Sequence, residues 1–368
     1  MLAEGIKPIG TKISFMTTPF EGHNHFREGT MLTAVARYTA QSFPAGAVAM
    51  PNLSVPITTP ELANAYRKEL QALLGEDYPL VIVGYLTEDM DPDTVERGFK
   101  SGAWQAMKFY PKGMTTNSHG GVSDVRKIAH LLKRMEELGM PALFHGESEY
   151  WADGRKTDIY DREKAFYAES APWIVETFSK LRVSFEHGSS RAFVEFMLKH
   201  GKFNQVVCTV TVHHLLFDRN HFFALGPDVH LHCYPVLKRK EDCEALRKLV
   251  TGGYDFVFAG TDSAPHPTTA KEKACGCAGG VFTAHAAVEL YAEVFEEEGK
   301  LPLLESFLCR FGSLFYFGML RLGGGITLER QDWTVNEMIV TADGKKVRPL
   351  FYHEDLAQRR PIRWKRVS

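Results

Sequence analysis

The sequence lacks the features that mark several classes of protein. It has no run of about 18 apolar residues, so we expect no membrane-spanning helix and no membrane partner. Its formal net charge of -2 leaves no global basic excess, so we expect no nucleic-acid partner. The first twenty residues have neither the apolar core of a signal peptide nor the arginine content of a transit peptide. We therefore predict a cytoplasmic protein.

Cysteine is also scarce, and its spacing indicates neither a disulfide framework nor a zinc ribbon. The six residues are Cys208, Cys233, Cys243, Cys275, Cys277 and Cys309. Scattered cysteines in a long chain are typical of reduced thiols. The one basic cluster is the tail, which we interpret as a solvated terminus: Arg359, Arg360, Arg363, Lys365 and Arg366.

Eight short apolar runs recur along the chain, and they are rich in Val, Phe and Ala. They lie near 20–27, 45–52, 80–87, 103–111, 142–147, 182–188, 205–213 and 256–262. Within most of these runs, apolar and polar residues do not alternate, which is typical of strands that are buried on both faces.

The segments between these runs have apolar residues at helical spacing. Thr59-Pro60 predicts a helix start and Gly75 its end, while Gly139 ends a helix over 123–138. Further helices are predicted over 161–180, 190–200, 239–250 and 283–298. Eight strands alternating with helices predict a (β/α)8 TIM barrel, as a single catalytic domain over 1–368 with short N-terminal and C-terminal extensions. A doubly wound open sheet is the alternative, but the glycine-rich phosphate turn that normally follows its first strand is lacking.

Polar residues at alternate positions close the first run. His23, His25 and Arg27 would project to the same side of an extended strand. Two imidazoles on one side form half of a metal site, and an arginine beside them can bind a carboxylate or a phosphate. A surface turn that happens to contain histidine explains an isolated H-x-H equally well, so the motif alone leaves both readings open.

Other polar residues fall at the carboxyl ends of the later runs. They are Asn52, Lys108, His145, His187 and Asp262, with His266 four residues further on. The carboxyl ends of barrel strands face one mouth, where active sites lie. Each residue alone has a structural explanation, such as a hydrogen-bonded histidine or a capping aspartate. Together, four histidines and an aspartate exceed what one tetrahedral zinc needs and favour a two-metal site.

A lysine beside two cations requires an explanation, because an ammonium group repels them. Burial favours the neutral amine of Lys108, which can add carbon dioxide. The resulting carbamate is an anionic group that can bridge two metals.

The motifs GHNHFREG, MPN, MKFYPKGMTTNSHG, FHGE, FEHGS, GTDSAPH and KEKACGCAGG occur in this order. Together they resemble those of dihydroorotases, more narrowly the short bacterial type (type II) of the amidohydrolase superfamily. Longer relatives carry a β domain built from both chain ends, and we expect no sizeable extra β domain here. Asn24, between the paired histidines, and Glu28, after the arginine, depart from the usual pattern, and both should point away from the metals.

The resemblance implies a binuclear zinc site with two Zn2+ per subunit. His23, His25 and Asp262 would hold one ion, and His145 and His187 the other. N6-carboxylated Lys108 and a hydroxide would bridge them, with Asp262 as general acid and base.

The resemblance also implies a substrate site and a reaction. The substrate-binding residues would be Arg27, Asn52, His266 and the backbone near Leu237 and Ala278. Thr115 and Thr116 would lie on a mobile loop that closes over the ligand. The reaction would be the reversible cyclisation of N-carbamoyl-L-aspartate to L-dihydroorotate in pyrimidine biosynthesis, carried out by a homodimer. The alternatives are another cyclic-amide hydrolase, such as a hydantoinase, and a non-catalytic barrel that serves as a scaffold.

Overall fold

The computed structural model describes residues 6–321, 325–355 and 358–368. Its strands form one large and two small sheets. In chain order they are β1 (Lys12–Ser14), β2 (Glu21–Asn24), β3 (Ala47–Ala49), β4 (Leu80–Tyr85), β5 (Ala106–Phe109), β6 (Ala142–His145), β7 (Val183–Glu186), β8 (Val206–Val210), β9 (Val257–Ala259), β10 (Thr327–Trp333), β11 (Ile339–Val340), β12 (Lys346–Val347) and β13 (Ile362–Arg366).

Strands β2 to β9 pair in parallel, each with the next along the chain. The sheet closes where the His25 amide donates to the Ser263 carbonyl (3.1 Å) and the Asp262 amide donates to the His23 carbonyl (2.9 Å). Each of the eight predicted runs contains one of these strands, so the predicted barrel is confirmed. All eight strands are buried along their whole length, as expected for a sheet that is covered by helices outside and packed inside.

Helices connect the barrel strands and cover them. They are α1 (Gly29–Ser42), α2 (Pro60–Leu74), α3 (Pro92–Lys100), α4 (Ala129–Leu138), α5 (Arg162–Ala165), α6 (Ala171–Thr177), α7 (Arg191–His200), α8 (Val212–Leu216), α9 (Arg219–Phe222), α10 (Lys240–Val250), α11 (Thr268–Lys271), α12 (Ala287–Glu297) and α13 (Phe311–Phe317). Short 3-10 or π segments lie at Val125–Ile128, Phe166–Ser170, Val229–Leu231, Leu301–Leu303 and Ser306–Arg310.

The helix boundaries follow the local sequence signals. The Thr59 hydroxyl accepts from the Leu62 amide at the start of α2, and Gly139 takes a left-handed conformation after α4. Within the described ranges, the helices are all too short or too polar to cross a bilayer.

Both ends of the chain meet in a small antiparallel sheet of order β1-β10-β13, and β11 and β12 form a separate two-stranded sheet. Residues 6–321, 325–355 and 358–368 therefore contain no sizeable extra β domain, in agreement with the fold prediction. The prediction of a solvated basic terminus is wrong for Arg360, Arg363 and Arg366, because β13 packs on α12, although Arg359 and Lys365 are exposed. Arg360 and Arg363 lie 2.6 and 3.6 Å from the buried carboxylate of Glu293, and Trp364 is fully buried. Carboxylates buried on α12 need cations, and the terminal arginines provide them.

Candidate functional site

Two imidazoles and a carboxylate meet at the carboxyl ends of β2 and β9. The Nε2 atoms of His23 and His25 lie 3.4 Å apart. Asp262 Oδ1 lies 3.0 Å from His25 Nε2 and 3.4 Å from His23 Nε2. Nitrogen and oxygen donors at these separations are suited to surrounding one cation.

A second pair of imidazoles extends this group across the barrel mouth. His145 ends β6 and His187 follows β7, and their ring centroids lie 4.6 Å apart. The ring of His187 is also 5.0 Å from that of His23. All four histidines are therefore in one continuous cluster, although they come from three separate strands.

Buried carboxylates bond the outer nitrogens of two of these rings. Glu186 Oε2 lies 2.5 Å from His23 Nδ1, and Glu147 Oε2 lies 2.7 Å from His145 Nε2. Metal-binding histidines commonly bond a carboxylate through the nitrogen that does not bind the metal. His23 Nε2 and His145 Nδ1 are then left for a cation, so the donor set fits a metal site.

Lys108 lies on β5 with its side chain fully buried and its Nζ 2.9 Å from Glu186 Oε2. Burial lowers the pKa of Lys108 below its usual value, and the negative charge of Glu186 partly opposes that shift. A lowered pKa favours the neutral amine, which is the form that reacts with carbon dioxide.

Burial and charge act in opposite directions on the other members of the cluster. Burial lowers the pKa of His25 to about 4 and that of His187 well below its usual value. Burial opposes ionisation of Asp262, but His23 and His25 together hold the pKa of that carboxyl well below its usual range. Neutral imidazoles and an ionised aspartate are the protonation states that bind metals.

Three residues of the site have backbones in the left-handed region. The φ angles are +64° for Arg27, +46° for His187 and +47° for Asp262. Residues other than glycine rarely adopt this conformation, and such strain is concentrated at functional sites. Since β2 ends at Asn24, Arg27 reaches the cluster through a turn and not by the alternation of an extended strand.

A narrow cleft opens over the cluster. It is lined by His23, His25, Arg27, Asn52, Tyr110, Thr115, Thr116, His145, His187, Tyr234, Asp262, Ala264, Gly279 and Gly280. Arg27 Nε donates to the Pro265 carbonyl at 3.0 Å, and its Nη2 lies 2.9 Å from His266 Nε2. These contacts hold the guanidinium at the wall of the cleft, where it can bind an anion.

The segment that carries Thr115 and Thr116 is folded over the cleft. Asn52 Nδ2 donates to the Thr116 carbonyl at 3.0 Å, while Asn52 Oδ1 is buried without a partner among the described residues. The side-chain Nδ2 of Asn117 donates to the Asn52 and Leu53 carbonyls, each at 3.0 Å. These hydrogen bonds fasten the segment to the strand-end loop that follows β3.

No family model matches the sequence. The chain is 42% identical over 341 residues to a dihydroorotase of Nitrosomonas europaea, covering 91% of this chain and 95% of that protein. It is 42% identical over 345 residues to a dihydroorotase of Azoarcus sp., covering 93% and 98%. The chain belongs to the dihydroorotase family.

Solved structures agree with membership of the dihydroorotase family. A crystal structure of the Saccharomyces cerevisiae dihydroorotase in complex with 5-fluoroorotic acid has a TM-score of 0.86 at 28% identity, covering 96% of this chain and 98% of that one. The Campylobacter jejuni dihydroorotase has a TM-score of 0.83 at 27% identity, covering 99% and 100%. An L-hydantoinase of Arthrobacter aurescens, at 16% identity and a TM-score of 0.72, shares the fold. This family member is thus a metal-dependent cyclic-amide hydrolase of the amidohydrolase superfamily.

Three of the predicted substrate-binding residues, Leu237, His266 and Ala278, lie outside the cleft lining, and His266 is connected to it through its contact with Arg27. Leu237 lines a separate small cavity with Leu231 and Cys233. Ala278 donates its amide to the Ala270 carbonyl, and the glycines that follow it line the cleft instead. Tyr234, three residues before Leu237, is the residue of its loop that faces the site.

Sequence reasoning missed four polar side chains at or beside the site. They are Tyr110, Glu147, Glu186 and Tyr234. A signal for Glu186 was present, because a carboxylate in the otherwise apolar run before His187 needs a buried partner. Tyr110 follows Lys108 by two positions, so strand alternation places both on one face.

Neighbouring histidines on α8 form a second group with Cys233. His214 Nδ1 lies 2.7 Å from the Thr211 hydroxyl and its Nε2 lies 3.0 Å from the Pro235 carbonyl. Both ring nitrogens of His214 are therefore occupied by protein groups. His213 and His214 both lie on the helix α8, just beyond β8, and both are buried.

The remaining departures from the dihydroorotase pattern also face away from the cluster. Asn24 Oδ1 accepts from the Thr39 hydroxyl at 3.2 Å, on the side of α1. Glu28 accepts from the Ser54 amide at 2.7 Å, at the surface. Neither residue contacts a candidate ligand in these hydrogen bonds.

Proposed function

We propose that this chain catalyses the reversible cyclisation of N-carbamoyl-L-aspartate to L-dihydroorotate, as a dihydroorotase of pyrimidine biosynthesis. Closure forms a bond between the ureido nitrogen and the side-chain carboxyl carbon, and one water leaves. The observation that carries the proposal is that Arg27 lines the same cleft as the imidazole cluster. A cationic fork beside a metal site suits a cyclic amide that bears a carboxylate. The yeast relative, bound to 5-fluoroorotic acid, supports this choice.

The cluster fits two zinc ions. His23, His25 and Asp262 would hold one, His145 and His187 the other, and N6-carboxylated Lys108 would bridge them. Zinc held by these residues would supply hydroxide near neutral pH and would polarise the amide carbonyl. The buried carboxylates on the outer nitrogens of His23 and His145 support this assignment.

The residues of the chain would orient the substrate and move its protons. Asp262 takes the proton of the attacking water and delivers it to the leaving ring nitrogen, and ring closure reverses this transfer. Arg27 and Asn52 hold the substrate carboxylate, with help from His266 and from the backbone near Leu237 and Ala278; Gly279, next to Ala278, lines the cleft. Thr115 and Thr116 cover the cleft and exclude water.

A hydantoinase-like activity is the second candidate, because hydantoinases share the fold. Hydantoins with apolar substituents bring no carboxylate to pair with Arg27, so they would leave the anion-binding capacity of its guanidinium unused. A third candidate, a non-catalytic scaffold, would not need the six candidate ligands to converge. The cytoplasmic location, the homodimer and the single catalytic domain over 1–368 stay predictions.

The test is to incubate the purified protein with N-carbamoyl-L-aspartate, with and without a chelator, and to follow ring formation. A parallel panel contains dihydroorotate and hydantoins with apolar substituents. We expect the protein to interconvert N-carbamoyl-L-aspartate and dihydroorotate, to lose this activity with the chelator, and to leave the hydantoins unchanged. Preferential hydrolysis of the hydantoins would replace the proposal by the second candidate, and inactivity of the zinc-loaded protein would favour the scaffold.

A further inference from the structure

Glu186 contacts two candidate metal ligands with a single oxygen atom. Its Oε2 lies 2.5 Å from His23 Nδ1 and 2.9 Å from Lys108 Nζ. Its Oε1 accepts from the Ser184 hydroxyl at 3.1 Å, which fixes the carboxylate. Glu186, His23, Lys108 and Ser184 are all at most 1% exposed, so water does not compete for these bonds.

We propose that Glu186 is a positioning residue that orients His23 and the carboxylated Lys108 together, so that the two zinc sites assemble as one unit. This rests on the proposed function, because it assumes that Lys108 carries a carbamate. His23 comes from β2 and Lys108 from β5, and β3 and β4 lie between them in the sheet. Glu186, from β7, is the link that fixes one relative to the other.

The contact with His23 determines which nitrogen faces the cleft. A carboxylate on Nδ1 holds the proton there, so Nε2 carries the free lone pair. That Nε2 lies 3.4 Å from Asp262 Oδ1, on the cluster side of the ring. Without Glu186, the ring would be free to take either tautomer and to rotate.

The contact with Lys108 determines where the carbamate oxygens point. Addition of carbon dioxide to the neutral amine forms one N–C bond, and the nitrogen releases one proton to solvent. The nitrogen keeps one N–H, and conjugation makes it planar like an amide. If Glu186 Oε2 accepts that N–H, the two carbamate oxygens are directed away from Glu186. Fixing this rotation in advance removes an entropic cost of metal binding.

Glu147 provides a matched comparison within the same site. It is also a buried carboxylate, and its Oε2 lies 2.7 Å from His145 Nε2. Its hydrogen bond reaches one ligand of one zinc and does not involve Lys108. Replacing Glu147 therefore removes a similar charge while leaving the orientation of the carbamate intact.

The experiment compares wild type, Glu186→Leu, Glu186→Gln and Glu147→Leu as zinc-loaded proteins in 13C-bicarbonate. The readouts are the 13C NMR signal of the carbamate, the zinc retained against a competing chelator, and the melting temperature. We expect Glu186→Leu to lose the carbamate signal and to bind both zinc ions about 100-fold more weakly, the upper end for such partners. Glu147→Leu should keep the carbamate signal and weaken one zinc.

Glu186→Gln is the conservative variant, because its amide oxygen can still accept from both ligands. A neutral acceptor is weaker than a carboxylate, so we expect about a 10-fold loss of zinc affinity with part of the carbamate signal retained. A wild-type carbamate signal and wild-type zinc retention in Glu186→Leu overturn the proposal. If Glu186→Leu does not fold, the same wild-type values in Glu186→Gln overturn it.

The cyclisation assay on the same wild-type preparation separates this proposal from the proposed function. A wild type that holds zinc and carbamate but forms no ring refutes the function, while the Glu186 variants still decide the positioning role. A wild type that cyclises substrate but shows no carbamate signal overturns the Glu186 proposal and leaves the function standing.

Discussion

Asp262 is placed to act both as a ligand and as a base, because its Oδ1 lies beside the two paired imidazoles at the edge of the cleft. Asp262→Asn keeps an oxygen donor of the same shape but removes the proton acceptor. We expect most of the zinc to remain and kcat to fall by about 10²–10⁴-fold. Turnover and zinc content measured on one preparation test this, and wild-type turnover would refute the proton-transfer role.

Lys108 supplies the proposed bridge, so its loss should affect metal and activity together. Lys108→Ala removes the amine that would form the carbamate and leaves the Glu186 carboxylate without one of its three partners. We expect loss of zinc and of turnover, with partial recovery of both when short carboxylic acids are added. Full zinc occupancy without added acid would count against a carbamate bridge.

Arg27 should determine affinity for acidic substrates more than it determines the rate. Arg27→Met keeps most of the side-chain length and removes the guanidinium, whose hydrogen bonds to a carboxylate are worth about 1.5–3 kcal/mol. We expect KM for N-carbamoyl-L-aspartate to rise about 10- to 100-fold. Arg37→Met, on the exposed face of α1, is the control. An unchanged KM in Arg27→Met would exclude Arg27 from the substrate site.

The residues that sequence reasoning named differ from those it missed in how they depend on other strands. The histidines, Lys108 and Asp262 end apolar runs, and this position alone marks them. The role of Glu186 depends on its contacts with Lys108 and His23, which are distant in sequence. Tyr234 faces the cleft in place of Leu237 because of the path of an irregular loop, and residue spacing does not determine that path.

Among the structural elements, the segment over 111–122 brings Thr115 and Thr116 to the cleft, and we propose that its position controls access. Asn117 holds it through two hydrogen bonds to the loop after β3, and its φ of +55° suits glycine. Asn117→Gly therefore removes the two bonds without straining the backbone. We expect KM to rise, kcat to fall and protease cleavage within 111–122 to increase.

Asn204→Gly is the control for the loop variant. Asn204 also has a left-handed backbone, with φ of +60°, and it lies in an exposed turn before β8. It should leave both kinetic constants unchanged. If Asn117→Gly behaves in the same way, the hydrogen bonds of Asn117 do not control closure.

The elements of the barrel were predictable because its strands are continuous apolar runs with polar residues at one end. The exact strand ends were harder to predict from the sequence. For example, β2 stops at Asn24 and the chain then turns before Arg27. The basic tail was misread for a different reason. Its partners are carboxylates on α12, which lie about 70 residues earlier, as the bond from the Arg363 amide to Glu293 shows.

At the scale of the whole molecule, the small sheet ties both chain ends to the outside of the barrel. Trp364 is fully buried at this junction, and its carbonyl accepts from Trp333 Nε1 at 2.6 Å. Trp364→Ala should lower the free energy of unfolding by about 3–5 kcal/mol through the cavity it leaves. Val367→Ala, at a 44% exposed position, should change it by less than about 0.5 kcal/mol. Chemical denaturation measures both, and equal midpoints would show that the junction does not support the fold.

Arg27, His187 and Asp262 have left-handed backbones, which are strained for residues other than glycine. The side chains needed for the proposed chemistry therefore lower the stability of the fold. Glycine at any of these positions would relieve about 1–3 kcal/mol of strain, and it would also remove a ligand or the substrate fork. A directed-evolution library screened for heat resistance alone would therefore accumulate inert barrels. A selection for thermostable enzymes must therefore also require ring-closure activity.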